Sequence, residues 1–473
     1  MRVLMVVIDF PALSETFVLD QITGLLDRGF DVDILAAGAR KESTVHSDVE
    51  AYGLLDRVKY VDSKVPNGSR LLRWTHILFS LVRQGQLGLF NEVMRAGLRR
   101  MLERPSLVGA LQLLSYADAL AALPSPDIVL CHFGPNGDLM VRLRKALNAS
   151  WPVATFFHGY DISAVLVEKG PDVYDRLLKR GDFFLPASGF FRDRLVDLGA
   201  PADRTAVQRM GVRFGTPSTE AEGGPGGWRR EFVFVSVGRL VEKKGHEYAI
   251  RAIAQCRQMN PEIKINLIVI GDGPLMGMLH DTIRRLKLEG IVQMYGSLPR
   301  EKINERLLAA DAFVLPSVTA EDGDMEASPV AISEAMAAGL PVLATHHGGI
   351  PEIVDDEVTG LLVAERDVDA LAEAMYRIAR DHNLARRMGY AGRQKVERDL
   401  DLDLWNDVLA ERIQTLVGAQ KTKGSATVCE ISGKSRMRFR ATRLGSMKGT
   451  LQNGRAPAAN RRWRFGGRMG DPE

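Results

Sequence analysis

Residues 326–352 read EASPVAISEAMAAGLPVLATHHGGIPE, and the punctuation of this stretch sets the reading of the whole chain. Pro329 suits the first turn of a helix, and Gly339-Leu340-Pro341 ends it. Val342 to Thr345 read as a short buried strand, and Gly348-Gly349 opens a second loop. Glu326 falls in the loop before the helix and Glu334 within it. Two carboxylates so placed can hold two parts of one ligand. The backbone N–H groups between them, at a helix start, have no helical partners and suit a phosphate or a sugar hydroxyl. These residues alone point to a nucleotide-sugar site.

Outward from this stretch the chain repeats one grammar, a short apolar run followed by a loop and an amphipathic helix. The runs are 3–8, 31–36, 127–132, 152–157, 183–187 and 206–209 in the first half. In the second half they are 232–237, 265–270, 292–295, 312–315, 342–345 and 360–363. Near-continuous apolar strands alternating with helices predict parallel sheets covered on both faces. The first loop, Asp9 to Ser14, is not GxGxxG, so the usual dinucleotide fingerprint is absent. GTPSTEAEGGPGG at 215–227 cannot pack a core and reads as a linker or exposed loop. Helices are expected at 300–309, 367–380, 383–398 and 402–417, the last with Leu402, Trp405, Leu409, Ile413 and Leu416 as its apolar positions.

A chain of 473 residues exceeds one ordinary core and implies two domains. No apolar run reaches the roughly 18 residues needed to cross a bilayer, and MRVLMVVIDFPALSE reads as a first strand, not a signal peptide. Cys131, Cys256 and Cys429 lack metal-ligand spacing, and their odd number fits a reducing cytosol. The net charge of +3 is uneven: residues 421–473 carry 13 Lys or Arg against three acids, which leaves −7 for everything before them. The basic character therefore belongs to a tail, read as disordered. Residues 70–104 combine an apolar stripe with seven arginines against two acids. That composition suits a helical excursion packed on the first sheet or a segment lying on an anionic membrane.

Several motifs together carry a family resemblance over residues 1–417. Glu326 and Glu334 match the E-x7-E motif, GRLVEKKG at 238–245 the phosphate loop, and GDGP at 271–274 and YGSLPREKI at 295–303 the base-side loops of retaining glycosyltransferases of family 4. SETFV at 14–18, HFGPNG at 132–137, FHGYDIS at 157–163 and TAEDGDMEASPVAISEAM at 319–336 resemble, more narrowly, the colanic-acid and amylovoran type of bacterial exopolysaccharide enzymes. Ala327 stands where that branch has glycine, which is tolerable at negative φ. The resemblance implies an α/β protein of GT-B fold, two Rossmann-like domains facing across a cleft, with a C-terminal helix packing back across the junction. The expected division is 1–211 for the acceptor-side domain, 212–230 for the linker and 231–398 for the nucleotide-sugar domain. Residues 399–418 would be the closing helix and 419–473 the basic tail.

The implied activity is transfer of a hexosyl group, with retention, from a UDP- or GDP-sugar to a saccharide acceptor, in particular a polyprenyl-diphosphate-linked oligosaccharide. The enzyme would be cytoplasmic, with peripheral contact to the anionic inner face of the membrane, and without nucleic-acid partners. Arg239 and Lys244 are expected to grip the diphosphate and stabilise the leaving nucleotide. Glu334 is expected to accept ribose hydroxyls, and Glu326 to face the donor sugar beside Ala327, Ser328, Pro329 and Val330. Gly273 and Leu298 would lie on the base side. His158 would approach the reacting centre, with Glu15, Thr16, His132, Asn136 and Asp161 on the acceptor side; Asp161 would orient His158 or touch the acceptor. Asp322-Gly323-Asp324 has the shape of a DxD metal motif but is read as loop acids, and no metal or other cofactor is expected. His346 and His347 are read as loop packing. An epimerase or hydrolase of the same architecture, or a non-catalytic binder of sugar nucleotides, are the alternatives.

Overall fold

The computed structural model describes residues 1–12, 15–39, 46–61, 107–214, 231–259 and 261–423. The arginine-rich stretch 70–104, the glycine-rich segment 215–227, Cys429 and the basic tail from residue 424 lie outside them.

The first half forms a six-stranded sheet from β1 (Arg2–Asp9), β2 (Asp31–Gly38), β3 (Val58–Tyr60), β4 (Ile128–His132), β5 (Val153–Phe157) and β6 (Phe183–Pro186), in the order β3-β2-β1-β4-β5-β6. The second half repeats that order with β7 (Phe232–Val237), β8 (Ile265–Ile270), β9 (Val292–Met294), β10 (Ala312–Leu315), β11 (Val342–Thr345) and β12 (Gly360–Val363), arranged β12-β11-β10-β7-β8-β9. Strand pairings in both sheets are parallel. The strand order reverses between β1 and β4 in one sheet and between β7 and β10 in the other. Crevices for ligands open at such switch points, beyond the carboxyl ends of the strands. This is the expected GT-B arrangement, and it places His158, Arg239 and Glu326 on loops beyond strand ends and His132 at the end of β4.

Each sheet is buried on both faces, with a separate apolar cluster on either side. β3 was not expected, the last helix runs on to Lys423, past the expected end at 418, and two further details differ from the sequence reading. Residues 206–209 are not a strand; Ala206 and Gln208 only donate to the carbonyls of Phe184 (3.0 Å) and Pro186 (2.9 Å) at the edge of the sheet. Val212, placed at the start of the linker, is fully buried because the chain returns beside it. Val212 N–H donates to Leu400 O at 2.9 Å, and Leu402 N–H to Val212 O at 3.2 Å.

Beyond that crossing, helix Leu402–Lys423 packs back on the first half. Leu409, Ala410, Ile413 and Val417 join the cluster formed by β1 and helix Thr16–Asp27. Polar contacts fix its register: Gln208 Nε2 donates to Trp405 O at 2.9 Å, and Arg28 Nε to Asp407 at 2.7 Å. Leu409 is completely buried whereas Leu404 is 45% exposed. Leu409→Ala is therefore expected to lower unfolding stability by about 2–5 kcal/mol and Leu404→Ala by less than about 0.5 kcal/mol, as read by denaturant titration.

Candidate active site

The loop after β7 ends in the short 3₁₀ turn Glu242–Lys244, which turns two adjacent lysines inward. Lys244 Nζ lies 3.0 Å from Glu326 Oε1, and Lys243 Nζ lies 3.6 Å from the same oxygen and 3.0 Å from Asp324. Burial alone would raise the Glu326 carboxyl, but the two ammonium groups outweigh it and hold the acid at about 2. Glu326 is thus an anion throughout the physiological range. Burial lowers Lys244 and is only partly offset by Glu326. For Lys243 the same burial is overcome by Glu326 and Asp324, and its affinity for the proton rises. Arg239, at the start of this loop, is exposed, and its side chain makes no ion pair or hydrogen bond among the described residues. An uncommitted cation beside a buried ion cluster suits an incoming diphosphate.

Glu326 is held from behind. Its N–H donates to His347 Nε2 at 2.9 Å, so that nitrogen carries no proton, and Nδ1 of the same ring donates to Glu365 at 2.6 Å. A side chain at Gly349 would strike the Ala327 carbonyl, its Cβ falling 1.8 Å away, so the second glycine loop lies flat under the glutamate loop. Helix Val330–Ala337 follows with no side chain capping its start, which leaves its first N–H groups available beside Ala327 and Ser328. Ala327 has negative φ, as its methyl requires. Glu352 then reaches the first half. It accepts from the N–H groups of Gly189 (2.9 Å) and Phe190 (2.8 Å) and from Arg209 (2.8 Å).

The second carboxylate of the motif has a different environment. Glu334 Oε1 is 3.5 Å from Arg300, and Arg300 is bonded to Asp20 of the first half at 2.9 Å. Asp20 also meets Arg213 at 3.1 Å. Burial raises the Glu334 carboxyl; Arg300 opposes the shift, Asp20 reinforces it, and the result is about 7. Glu334, Arg300 and Arg213 line a cavity of about 280 Å³ between the two halves, with Leu19, His46 and Asn304 on its wall. On the base side, Gly271 N–H donates to Gly296 O at 2.8 Å and Leu240 N–H to Asp272 O at 2.9 Å. The phosphate loop, the Gly273 loop and the Leu298 loop are thereby joined in one rim.

Across the cleft, β5 ends at His158-Gly159. Gly159 has φ +115°, and a Cβ there would fall 2.5 Å from Met325 O and 3.3 Å from Ala327 N. The close approach that this glycine permits is thus to the glutamate loop. Ser163 Oγ accepts the Met325 N–H at 3.1 Å, so the two halves meet where His158 and Glu326 stand. Phe133 adopts φ +72°, an unfavourable conformation for a bulky residue, and sets its ring edge-on 4.9 Å from His158.

Three of the residues expected on the acceptor side are buried. Asp161 is wholly buried; its carboxylate accepts the backbone N–H groups of Gly134 and His158, each at 2.9 Å. It orders the two loops, holding His158 through its backbone N–H and not through its ring, and burial raises it to about 6 against those bonds. His132 is equally buried, and Asn136 donates to its carbonyl at 2.9 Å. Glu15 and Thr16 are half-buried at the start of the first helix, and Glu15 lines a small pocket with Asp9 and His46. Asp324 is taken up by Lys243, and Asp322 accepts the Asp324 N–H at 2.9 Å. Sequence reasoning missed Lys243, Asp20, Arg300 and Glu365, and it named His347 only as packing.

A model of glycosyl transferases group 1 matches residues 225–395, and a glycosyl transferase 4-like domain matches residues 14–211. WcaL of Salmonella typhimurium, which carries the name of a colanic acid biosynthesis glycosyltransferase, is 36% identical over 88% of this chain and 100% of its own length. The chain belongs to the group 1 glycosyl transferases. As a member it is a retaining glycosyltransferase that draws on a nucleotide-sugar donor. The amylovoran biosynthesis glycosyltransferase AmsK of Erwinia amylovora is 34% identical, again over 88% of this chain and all of AmsK. Among solved structures, Anabaena Alr3699/HepE in complex with UDP and glucose superposes with a TM-score of 0.63 at 19% identity, covering 88% of this chain and 100% of that one, a likeness of fold. Among the described residues of this glycosyltransferase, no helix is long and apolar enough to cross a membrane.

Glu334 gives a pH test. Its folded-state value of about 7 lies above that of an unfolded glutamate, so its contribution to stability is complete below pH ~4.5 and disappears as pH rises through 7. The unfolding free energy of wild type minus that of Glu334→Gln is expected to fall by on the order of 2 kcal/mol between pH 5 and pH 8. Chemical denaturation of both proteins across that range measures it, and a flat difference would contradict the assignment.

Proposed function

We propose that this glycosyltransferase moves a hexosyl group from a UDP- or GDP-sugar to a saccharide acceptor in the assembly of a bacterial exopolysaccharide or other cell-surface polysaccharide. The acceptor would be an oligosaccharide on polyprenyl diphosphate, met at the inner face of the cytoplasmic membrane. One observation carries the donor reading: a buried carboxylate, Glu326, is locked between Lys243 and Lys244 at a switch point, with an uncommitted Arg239 beside it. The two relatives named for colanic acid and amylovoran biosynthesis, matched over their full lengths, support the polysaccharide reading.

In this reading the diphosphate lies on Arg239 and Lys244, and the charge that develops on the leaving nucleotide is met by fixed cations at the moment the glycosidic bond breaks. The donor sugar is held by Glu326 and the N–H groups that follow it, and the ribose by Glu334. The acceptor hydroxyl enters from the Glu15–Thr16 side and attacks on the face the phosphate leaves, which preserves the anomeric configuration. Its proton passes to the departing phosphate oxygen. Catalysis then rests on positioning, charge and exclusion of water where the halves meet at Gly159 and Met325.

The test is a binding and hydrolysis screen of UDP-, GDP-, ADP- and dTDP-sugars. One nucleotide is expected to be released slowly by wild type, with the rate reduced about 100-fold or more in Lys244→Ala and binding weakened in Glu334→Ala. Failure of every nucleotide sugar to bind at millimolar concentration would overturn the reading. Release of free sugar or an isomer at full rate, unaffected by polyprenyl-linked acceptor, would favour a hydrolase or epimerase.

A further inference from the structure

The histidines at the ends of β4 and β5 form a bonded pair that the reaction scheme above does not use. His132 Nδ1 and His158 Nε2 are 2.9 Å apart. Their ring centroids are 5.1 Å apart with 12° between planes, the geometry of two nearly coplanar imidazoles bonded edge to edge. Phe156 stacks on His132 at 4.7 Å and 6°, and Phe17 packs on His158 at 4.6 Å. Both remaining ring nitrogens, His132 Nε2 and His158 Nδ1, are buried without a partner among the described residues.

Burial disfavours the charged form of both rings, which takes His132 to about 3 and His158 well below its ordinary value, so both are neutral. A neutral pair shares one bridging proton, and there are two ways to place it. If His158 donates, His132 must carry its own proton on Nε2, a donor sealed in the core where nothing can reach it. Buried unpaired N–H groups are rare and cost about 1–3 kcal/mol. If His132 donates from Nδ1, its Nε2 is bare, and the N–H left over is Nδ1 of His158, in a ring that is half-buried where the two halves meet, whereas His132 is wholly buried. A ligand can satisfy that group.

We propose that His132 is a positioning residue: by donating from Nδ1 to His158 Nε2 it locks His158 as the Nδ1–H tautomer, a fixed hydrogen-bond donor for an oxygen of the donor sugar. His158 then acts as a donor throughout the reaction and not as a general base. The inference rests on the reading that His158 faces the donor sugar.

Nitrogen NMR of the ¹⁵N-histidine-labelled protein, with His158 assigned by comparison with His158→Ala, tests the tautomer without turnover. His158 is expected to show a protonated Nδ1 and a bare Nε2. In His132→Phe, which keeps the stacking but removes the donor, the two tautomers should mix. The kcat should then fall about 10- to 100-fold with the donor KM changed less than about threefold. His132→Asn places an amide N–H where Nδ1 was and should recover both the tautomer and most of the rate. A protonated Nε2 on wild-type His158, or an unchanged tautomer and kcat in His132→Phe, would overturn the proposal. Full kcat in His158→Ala would remove the underlying donor-sugar reading, whatever tautomer the spectra report.

Discussion

The buried ion pair between Lys244 and Glu326 constrains everything around it. Taking a carboxylate and an ammonium out of water costs several kcal/mol each, and losing one partner of such a pair costs about 3–5 kcal/mol. The surrounding loops are arranged so that neither charge is left alone. Lys243 supplies a second cation, Asp324 balances it, and His347 braces the Glu326 backbone while being braced by Glu365. The flat glycine loop beneath exists because anything with a side chain would push this frame upward. The site is therefore organised before any donor arrives, as electrostatic catalysis requires.

Both carboxylates of the E-x7-E motif are also tied to the opposite half of the molecule, by different chemistry. Glu334 is tied through Arg300 to Asp20, a chain of charges. Glu326 is tied through its supporting loop to Glu352, which caps the helix Gly189–Asp197 with neutral N–H donors. The first link is a chain of opposed charges, and the second combines two backbone N–H donors with one ion pair, Arg209 to Glu352 at 2.8 Å. The two acids differ by about five pH units, near 2 where Lys244 and Lys243 outweigh burial and near 7 where burial outweighs Arg300.

The sheets were legible because strands buried on both faces leave unbroken apolar runs, and all but one of those runs became strands. β3 escaped notice because Val-Lys-Tyr is too short to show a pattern. Glu326, Glu334, Arg239 and Lys244 were legible as spaced motifs. Lys243 was not, since nothing in Glu242-Lys243-Lys244 says which lysine turns inward. Asp20 looks like any acid in an amphipathic helix, and its partner Arg300 is 280 positions away. Asp161 was read as orienting His158 or touching the acceptor, and His132 as an acceptor-side residue, because ligands in open sheets bind beyond the strand ends. Here the loops fold over them, and their burial turns them into scaffold.

The chain passes between its halves twice, at Val212 and at Asp401, and the two passages are zipped side by side by backbone bonds. A single tether would let one half swivel freely on the other. Two tethers fastened together behave as a strip of fabric along one edge, which folds readily about its own line and resists shear across it. Any opening of the crevice that leaves this seam intact is thus confined to a narrow family of rotations. His158 and Glu326 would part and rejoin along the same path each time. Alignment of the reacting groups is in this way written into the seam as well as into the groups themselves.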